Sequence, residues 1–399
     1  MSQGTAGTIS DASLDGDGQQ DLVEAAKALI PLVDEHAAEG ERRGALADEV
    51  DDAFHESGLW AMWVPEVLGG GELEPVPSLE VLEHISYADA SAGWVLMAGA
   101  LATGCDAAYI GDEGAAEFHP NDGSRLLVHE GQGTRPGRAV TTDGGFLLSG
   151  EWAFASGIKH AQIIHTGSMV QETGEARICV LPREKATLIE NWDVMGLRAT
   201  GSIDYTIDDV FVPESHTYFA TTEVPRRGGN LYTLGIVNLG MICHSAWALG
   251  VGRRMLDELR ALVVSKAGRP GSLGESDAFL GEFAMNEAKC RAARALVYET
   301  WHDVQETLRR GDKLTNEQQT ATRLGLQHTT WAIEEVALFV YTAAGTTALR
   351  AGTLQRFFRD MHAGTQHMTS APAARQTCGR MLAGVAPGKV WQFMHLIDA

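Results

Sequence analysis

The chain has 399 residues, and its 31 basic and 53 acidic side chains give a formal net charge of −22. That charge repels nucleic acid and anionic lipid, so neither is an expected partner. Five cysteines lie far apart without any CxxC pair, which indicates reduced thiols rather than disulfides or zinc ligands and predicts a cytoplasmic protein.

The predicted elements begin after a polar N-terminal tail. Residues 1–20, MSQGTAGTISDASLDGDGQQ, lack the basic and apolar segments of a signal peptide and are expected to be disordered. Residues 21–123 then show apolar positions at helical spacing, most strongly in PSLEVLEHISYADASAGWVLMAGALATG, which predicts a helical domain. No apolar run reaches the roughly 18 residues that a membrane span needs, so no membrane association is expected.

The pattern changes between residues 124 and 220. Short β-rich runs such as GFLLSGEWAF, AQIIHTGSMV and SIDYTIDDVFVP are separated by Gly, Asp and Pro, which predicts a compact antiparallel domain. From 221 to 399 the helical period returns, with long helices expected near 231–264, 277–309, 315–344 and 354–383. The chain has no GxGxxG string in register, so we do not expect a Rossmann site for NAD(P)H.

Two histidines lie close together in RDMHAGTQH, near the end of the last predicted helix. On a regular helix, the five residues from His362 to His367 turn the rings about 140° apart. The pair is therefore a poor metal clamp, and no metal site is predicted. A catalytic role would fall to a single imidazole that faces one pocket.

Three strings together resemble the acyl-CoA dehydrogenase fold: GEWAFASGIKHA at 150–161, NWDVMGLRATGSIDYTIDDVFVP at 191–213 and QRFFRDMHAGTQH at 355–367. The resemblance extends over about residues 21–385. It implies an α+β chain with a helical N-terminal domain, a central β-barrel and a C-terminal four-helix bundle, which hold a flavin between them.

The true dehydrogenases of this fold use a Glu base at a position that is Met368 here. Another family position for the base lies in residues 230–250, which contain no carboxylate. The sequence instead resembles the two-component flavin-dependent monooxygenases of the same fold, called group D. Their His next to the lost Glu corresponds to His367, and their W-x-F-x-S-G and G-L-R-x-T-G-S strings correspond to Trp152–Gly157 and Gly196–Ser202.

This resemblance implies an oxygenase component that receives reduced FMN or FAD from a separate NAD(P)H:flavin reductase. The flavin reacts with O2 to form a C4a-hydroperoxide, which hydroxylates an aromatic or polycyclic small molecule. The resemblance also implies a homotetramer. Three alternatives stay open: an N- or S-oxygenase on the same fold, an acyl-CoA dehydrogenase with an unrecognised base, and a scaffold protein that has lost catalysis.

The resemblance also suggests residues for catalysis. His367 is the first candidate, because an imidazole can donate a hydrogen bond to a peroxide and move a proton at neutral pH. Ser156 is expected near the flavin N5, with Trp152 and Phe154 of the same string as further cofactor contacts. His129 is a candidate for catalysis or for substrate binding. Packing, capping or turn roles are the alternatives for these residues.

The remaining candidates are contacts to cofactor and substrate. The turn with Arg198, Thr200 and Ser202 is expected to present backbone N–H groups and hydroxyls to the flavin. Lys266 lies at the family position of an Arg that contacts the cofactor's phosphate, and Arg269 follows close behind it. Trp94 and Met97 match the region that lines the substrate end of the pocket. The alternative for the turn residues is simple closure of the turn. For Lys266 and Arg269 it is a solvated surface charge, and for Trp94 and Met97 it is core packing.

Overall fold

The computed structural model describes residues 16–131 and 136–398. Five helices come first in the chain: α1 Gly16–Arg43, α2 Asp48–Glu56, α3 Pro75–Ala88, α4 Ala90–Tyr109 and α5 Asp112–Phe118. Residues 1–15 of the predicted disordered tail lie outside the described residues, and residues 16–20 belong to α1. Helix α4 is apolar around most of its circumference and is almost wholly buried, as expected of a central core helix.

The β-rich region forms one sheet. Its strands are β1 His129–Glu130, β2 Gly137–Thr142, β3 Gly145–Ala155, β4 Ile163–Val170, β5 Ala176–Pro182, β6 Thr187–Ile189, β7 Ile203–Pro213 and β8 Thr217–Phe219. Their order is β6-β7-β3-β2-β4-β5-β8, and β1 pairs with β4.

The sheet differs from the prediction in two respects. It is open, because the described strands at its two ends, β6 and β8, each pair on one side only. It is also mixed, since β4 pairs in parallel with both β1 and β2. The expected closed, antiparallel barrel was therefore wrong, although the order of helix, sheet and helix is confirmed.

The C-terminal region contains α6 Gly235–Ser265, α7 Asp277–Arg309, α8 Asn316–Ala344, α9 Thr346–Leu349, α10 Thr353–Gly364 and α11 Pro372–Leu382. A hairpin of β9 Lys389–Gln392 and β10 His395–Asp398 follows. Helices α6, α7 and α8 pack on one another, and α10 and α11 both pack against α8. The two short helices occupy the place of the predicted fourth helix.

That fourth helix is interrupted between Gly364 and Pro372. Helix α10 ends at Gly364, where a β-carbon would overlap the ring of Trp247. A short 3-10 turn, Met368–Ser370, follows, and Pro372 then starts α11 at a position where proline is well tolerated. His367 therefore lies outside the helix and caps the short turn.

One helical stretch among the described residues, Asn230–Ser265, is long and apolar enough to cross a membrane by length and composition alone. Most of its apolar window is buried, because α6 packs against α3, α4 and α8. Such burial is the pattern of a core helix in a soluble protein.

Candidate active site

A chain of hydrogen bonds joins α4 to the end of β3 and to the turn before β7. The Trp94 indole N–H donates to Ser156 Oγ over 3.1 Å, and Ser156 Oγ lies 2.8 Å from Ser202 Oγ. Ser202 Oγ in turn lies 2.6 Å from Thr200 Oγ1, which donates to the Leu197 carbonyl over 2.8 Å. We call Trp94, Ser156, Ser202 and Thr200 the hydroxyl chain. All four were predicted from the sequence.

The direction of donation along the hydroxyl chain follows from its two ends. The only proton of the Thr200 hydroxyl is used at the Leu197 carbonyl, so Ser202 donates to Thr200. Ser156 must then donate to Ser202, while it accepts from Trp94. A hydroxyl has one proton and two lone pairs, so Ser156 keeps one lone pair that can accept a hydrogen bond from a ligand.

The Arg359-Asp360 pair holds the turn that carries Thr200 and Ser202. Leu197 has a left-handed backbone, with φ of 55°, and its N–H donates to Asp360 Oδ1 over 2.6 Å. The Arg359 guanidinium donates to the Met195 carbonyl over 2.7 Å. Burial raises the pKa of Asp360 to about 7, and the neighbouring Asp89 adds to the rise. Helix α10 thus holds the turn that carries Thr200 and Ser202 in place.

Three aromatic rings pack together beside the hydroxyl chain. The His244 and His367 rings stack with centroids 4.0 Å apart, and the Trp94 ring meets them edge-on at 5.0 and 5.6 Å. We call these three residues the open histidine cluster, because His244 and His367 are only half-buried. His244 was not predicted, since nothing in its local sequence separates it from an ordinary core histidine.

The tautomer of His367 follows from its cap. Nδ1 accepts from the Thr369 N–H at 3.4 Å and lies 2.8 Å from the Thr369 hydroxyl. Burial lowers the pKa of His367 to about 4, so the ring is neutral at pH 7. A neutral ring with Nδ1 as acceptor carries its proton on Nε2. Within the described residues Nε2 has no hydrogen-bond partner, so it is a free donor.

His362 lies elsewhere. Its Nδ1 is 3.4 Å from Glu334 on α8, and its ring packs edge-on against Phe358. Of the two histidines in RDMHAGTQH, His367 is therefore the one in the open histidine cluster.

Glu130 is a further unpredicted residue next to the hydroxyl chain. Its side chain is buried, and Oε1 has no hydrogen-bond partner within the described residues. A β-carbon on Gly157 or on Gly99 would lie 2.6 or 2.8 Å from Oε1, so these glycines provide its space. Burial raises the pKa of Glu130 well above its usual range. Its one sequence signal is its place beside the predicted His129.

His129 faces a second, fully enclosed group of side chains. The Nδ1 atoms of His129 and His165 each lie 2.7 Å from an Asp106 oxygen, and the His119 ring stacks on His129 at 4.6 Å. We call Asp106, His119, His129 and His165 the closed histidine cluster. Burial alone would raise the pKa of Asp106, but its two histidine partners outweigh burial and hold it at about 2. The structure does not bring His129 to the hydroxyl chain.

The other residues of the W-A-F-A-S-G string divide between core and surface. The Trp152 ring is buried in the sheet, where it stacks on Tyr205 at 5.2 Å and donates to the Gly167 carbonyl. A register shift follows it, and Phe154 takes a left-handed backbone with φ of 64°. The Phe154 side chain is therefore 56% exposed and contacts Trp192, which donates to the same Leu197 carbonyl as Thr200.

The remaining predicted residues lie apart from the hydroxyl chain. Met97 is buried in the core, where its carbonyl accepts from the Cys243 thiol at 3.7 Å. Arg198 is exposed and donates to the Val194 carbonyl within its own turn. Lys266 caps the C-terminal end of α6 and donates to Thr347. At 1.5 Å per residue, Lys266 lies about 33 Å along the helix from His244. Arg269 follows Lys266 on the surface.

No group of His, Cys, Asp or Glu side chains in residues 16–131 and 136–398 is arranged to hold a metal ion. The polar groups of the candidate site are the hydroxyl chain and the open histidine cluster. A sheet between two helical regions, with these groups where the three meet, is the arrangement that the resemblance to the acyl-CoA dehydrogenase fold implies.

Comparisons with known proteins agree with this class. The family described as "Acyl-CoA dehydrogenase, N-terminal domain" matches residues 17–116, and "Acyl-CoA dehydrogenase, C-terminal domain" matches residues 242–372. Indole-3-acetate monooxygenase from Pseudomonas putida is 31% identical over 370 residues, which are 90% of this chain and 94% of that protein.

Two further relatives belong to one enzyme type. The flavin-dependent monooxygenase oxygenase subunit HsaA from Rhodococcus jostii (strain RHA1) is 28% identical, over 86% of this chain and 93% of its own. The crystal structure of the HsaA monooxygenase from M. tuberculosis superposes with a TM-score of 0.87 at 23% identity, over 94% of this chain and 100% of that one. The chain belongs to the flavin-dependent monooxygenases with the acyl-CoA dehydrogenase fold.

Proposed function

We propose that this protein is the oxygenase component of a two-component flavin-dependent monooxygenase that hydroxylates an aromatic small molecule. The observation that carries the proposal is His367: a neutral imidazole beside the hydroxyl chain whose Nε2–H has no partner within the described residues, next to the position, Met368, at which a dehydrogenase would keep its base. The relatives support the reading, because they are named as monooxygenases and one of them after an aromatic acid.

The residues fit a reduced flavin. Ser156 offers one acceptor position, which matches the N–H that a flavin carries only in its reduced form. Large apolar side chains lie exposed near the site: Phe154 (56%) is two residues from Ser156, Met368 (58%) is next to His367, and Met195 (57%) is two residues from Leu197, whose carbonyl ends the hydroxyl chain. Phe154 keeps this exposure in a left-handed backbone that costs energy for a bulky residue, which is typical of a ligand surface.

Bound reduced FMN or FAD would supply the activation of O2 as co-substrate. The role of this chain is to hold a proton at His367 Nε2 as a hydrogen-bond donor for oxygen. Because the pKa of His367 is about 4, the ring donates without becoming charged near pH 7. The Trp94 ring packs edge-on against both histidines, and Trp247 packs edge-on against Trp94, so we expect the two indole rings to limit the access of water.

The structure offers little support for the dehydrogenase alternative. Met368 cannot act as a base, and the carboxyl of Glu130 is buried, with a pKa that burial raises well above its usual range. A base for proton abstraction must reach the substrate in its charged form.

The partners follow from the chemistry. Because the chain lacks a Rossmann motif, we propose that a separate NAD(P)H:flavin reductase in the cytoplasm supplies the reduced flavin. We also propose a homotetramer: Lys266 lies about 33 Å along α6 from His244 and Arg269 follows beyond the end of the helix, so they could bind a cofactor phosphate only at the site of another copy. Native mass spectrometry would test the assembly.

The decisive experiment mixes the protein with chemically reduced FMN or FAD under anaerobic conditions and then with O2. We expect a transient near-ultraviolet absorbance, with oxidised flavin appearing more slowly than from free flavin. The variant His362→Ala, a substitution outside the candidate site, should behave as the wild type, since His362 faces Glu334. Immediate oxidised flavin with a full equivalent of hydrogen peroxide would contradict the proposal. Reduction of bound FAD by an acyl-CoA would instead support the dehydrogenase.

A further inference from the structure

A cavity lies between the C-terminal hairpin and the start of α6. Its volume is about 240 Å³, and its walls come from the first turn of α6, from α8, from the hairpin and from residues 220–223, which follow β8. The hydroxyl chain and the open histidine cluster contribute no residue to these walls. Asn238, on the α6 side, lies about 9 Å along the helix from His244. The cavity is therefore a second space, apart from the candidate active site.

Arg323 on α8 places a buried positive charge at this cavity. The side chain is only 2% exposed, and its guanidinium donates to the Phe393 carbonyl at 2.6 and 3.1 Å, to Asn238 Oδ1 at 3.0 Å and to the Gln319 carbonyl at 3.0 Å. These acceptors are neutral, and none of its partners in residues 16–131 and 136–398 is a carboxylate. A guanidinium has five N–H groups, so one N–H on Nη2 is left without a partner there.

Two further observations show that the positive charge in the cavity is not balanced. Burial lowers the pKa of Arg323 to about 10, so the guanidinium is still charged at pH 8. Helix α6, which is 31 residues long, begins at Gly235 on the cavity wall, and no side chain caps this end, where the helix dipole is positive. The Trp391 ring, 4.6 Å from the guanidinium, compensates only part of the charge. A buried cation without an anion is costly, so the cavity suits an anionic ligand.

The other walls restrict which anion fits. Glu223 is exposed and lies at the mouth of the cavity, where its negative charge disfavours a ligand with two negative charges. Ile236 and Trp391 are buried and give the cavity an apolar side. A ligand with one negative charge and a short apolar part satisfies both conditions.

We propose that this cavity binds a small monocarboxylate, which accepts a hydrogen bond from the free N–H of Arg323 and packs its apolar part on Ile236 and Trp391. Because Arg323 also holds the hairpin through the Phe393 carbonyl, the bound carboxylate stabilises the hairpin against α8. The site requires no flavin, so it is independent of the proposed function.

The test compares propionate with propionamide, which has nearly the same shape and no charge. Ligand-observed NMR titrations of the flavin-free protein at pH 8 and constant ionic strength would give both dissociation constants. We expect propionate to bind at least about tenfold more tightly, the usual contribution of a charged hydrogen bond. Phosphate, which carries nearly two charges at this pH, should bind more weakly than propionate because Glu223 repels it.

Three variants leave Arg323 and its contact with the hairpin in place. Gln319→Glu puts a carboxylate on the cavity wall four residues before Arg323, where it pairs with the guanidinium and should abolish the preference for propionate. Glu223→Gln should strengthen the binding of both anions, and that of phosphate more than that of propionate. Glu282→Gln is the matched control, because Glu282 is exposed on α7 outside the cavity, and it should bind as the wild type does.

The results that would contradict the site are equally specific. Equal binding of propionate and propionamide to the wild type, or a preference that survives Gln319→Glu, would overturn the proposal. Absence of propionate binding would overturn it as well, and tighter binding of phosphate than of propionate would overturn the assignment to a monocarboxylate. None of these outcomes depends on the oxygen-mixing experiment, which reports only on the flavin.

Discussion

The protein contains two histidine clusters, and they differ in what their ring nitrogens contact. In the closed histidine cluster, Asp106 accepts from both His129 and His165 in a space without solvent access. In the open histidine cluster, His244 and His367 have no carboxylate partner, and each has a nitrogen free within the described residues. Neighbouring groups, rather than the imidazole itself, decide which histidines are available for chemistry.

The electrostatics of the two clusters differ accordingly. The histidines around Asp106 hold its pKa at about 2, so this buried carboxylate stays charged and links α4 to β1 and β4. In the open cluster burial acts without a compensating charge and lowers the pKa of His367 to about 4. The closed cluster thus stabilises the fold, while the open cluster keeps neutral rings ready for a ligand.

The first test of the difference between the two histidine clusters is the variant Asp106→Ala. It would leave His129 and His165 buried without their acceptor, which typically costs about 3–5 kcal/mol of the free energy of unfolding. Urea or thermal unfolding would measure the loss, with Asp106→Asn as the matched variant that keeps one acceptor oxygen. The affinity for reduced flavin of the remaining folded protein should not change. A midpoint equal to that of the wild type would show that the closed cluster does not stabilise the fold.

His367→Ala should have the opposite signature. It removes the free Nε2–H donor, and the loss of one such preorganised donor typically lowers the rate about 10²–10³-fold. We expect hydroxylation to fall while hydrogen peroxide release rises, with little change in the unfolding midpoint. His362→Ala is again the control. Hydroxylation at the wild-type rate would remove His367 from the mechanism and reduce the open cluster to packing.

The sequence predicted the order of the elements well, because helical and strand periods are strong where one face is buried. Three C-terminal helices lie within a few residues of their predicted ends, whereas the fourth was predicted through Gly364 and Pro372. Its interruption depends on the contact between Gly364 and Trp247, which lies more than a hundred residues away in the chain. Local patterns contain no information about such a contact.

The candidate site shows the same limit more sharply. Motif strings identified Ser156, Thr200, Ser202 and His367, which the structure joins through Trp94. The direction in which a single side chain points was harder to predict. Alternation in β1 left the direction of His129 open, and the structure directs Glu130, its neighbour, toward Gly157. His244 belongs to the site only because α6 crosses α4 at Trp94, and the sequence carries no signal for that crossing.

The smallest effect is expected for His119→Phe, a substitution within the closed histidine cluster. Both ring nitrogens of His119 are buried without a partner in the described residues, and burial lowers the pKa of His119 well below its usual value. The native ring therefore stays neutral, whereas the unfolded chain binds a proton below about pH 6.5. Because the unfolded state then holds more protons, wild-type stability falls as the pH falls through this value.

Phenylalanine removes this proton uptake and keeps an aromatic ring against His129. At pH 8 we expect the free energy of unfolding to change by no more than about 1 kcal/mol, and the sign should favour the variant, since two unpaired polar atoms disappear. Between pH 7 and about pH 5 the advantage of the variant should grow. Unfolding curves at three pH values would measure it. If the wild type lost no more stability in acid than His119→Phe, the ring of His119 would have to be paired or charged in the native protein.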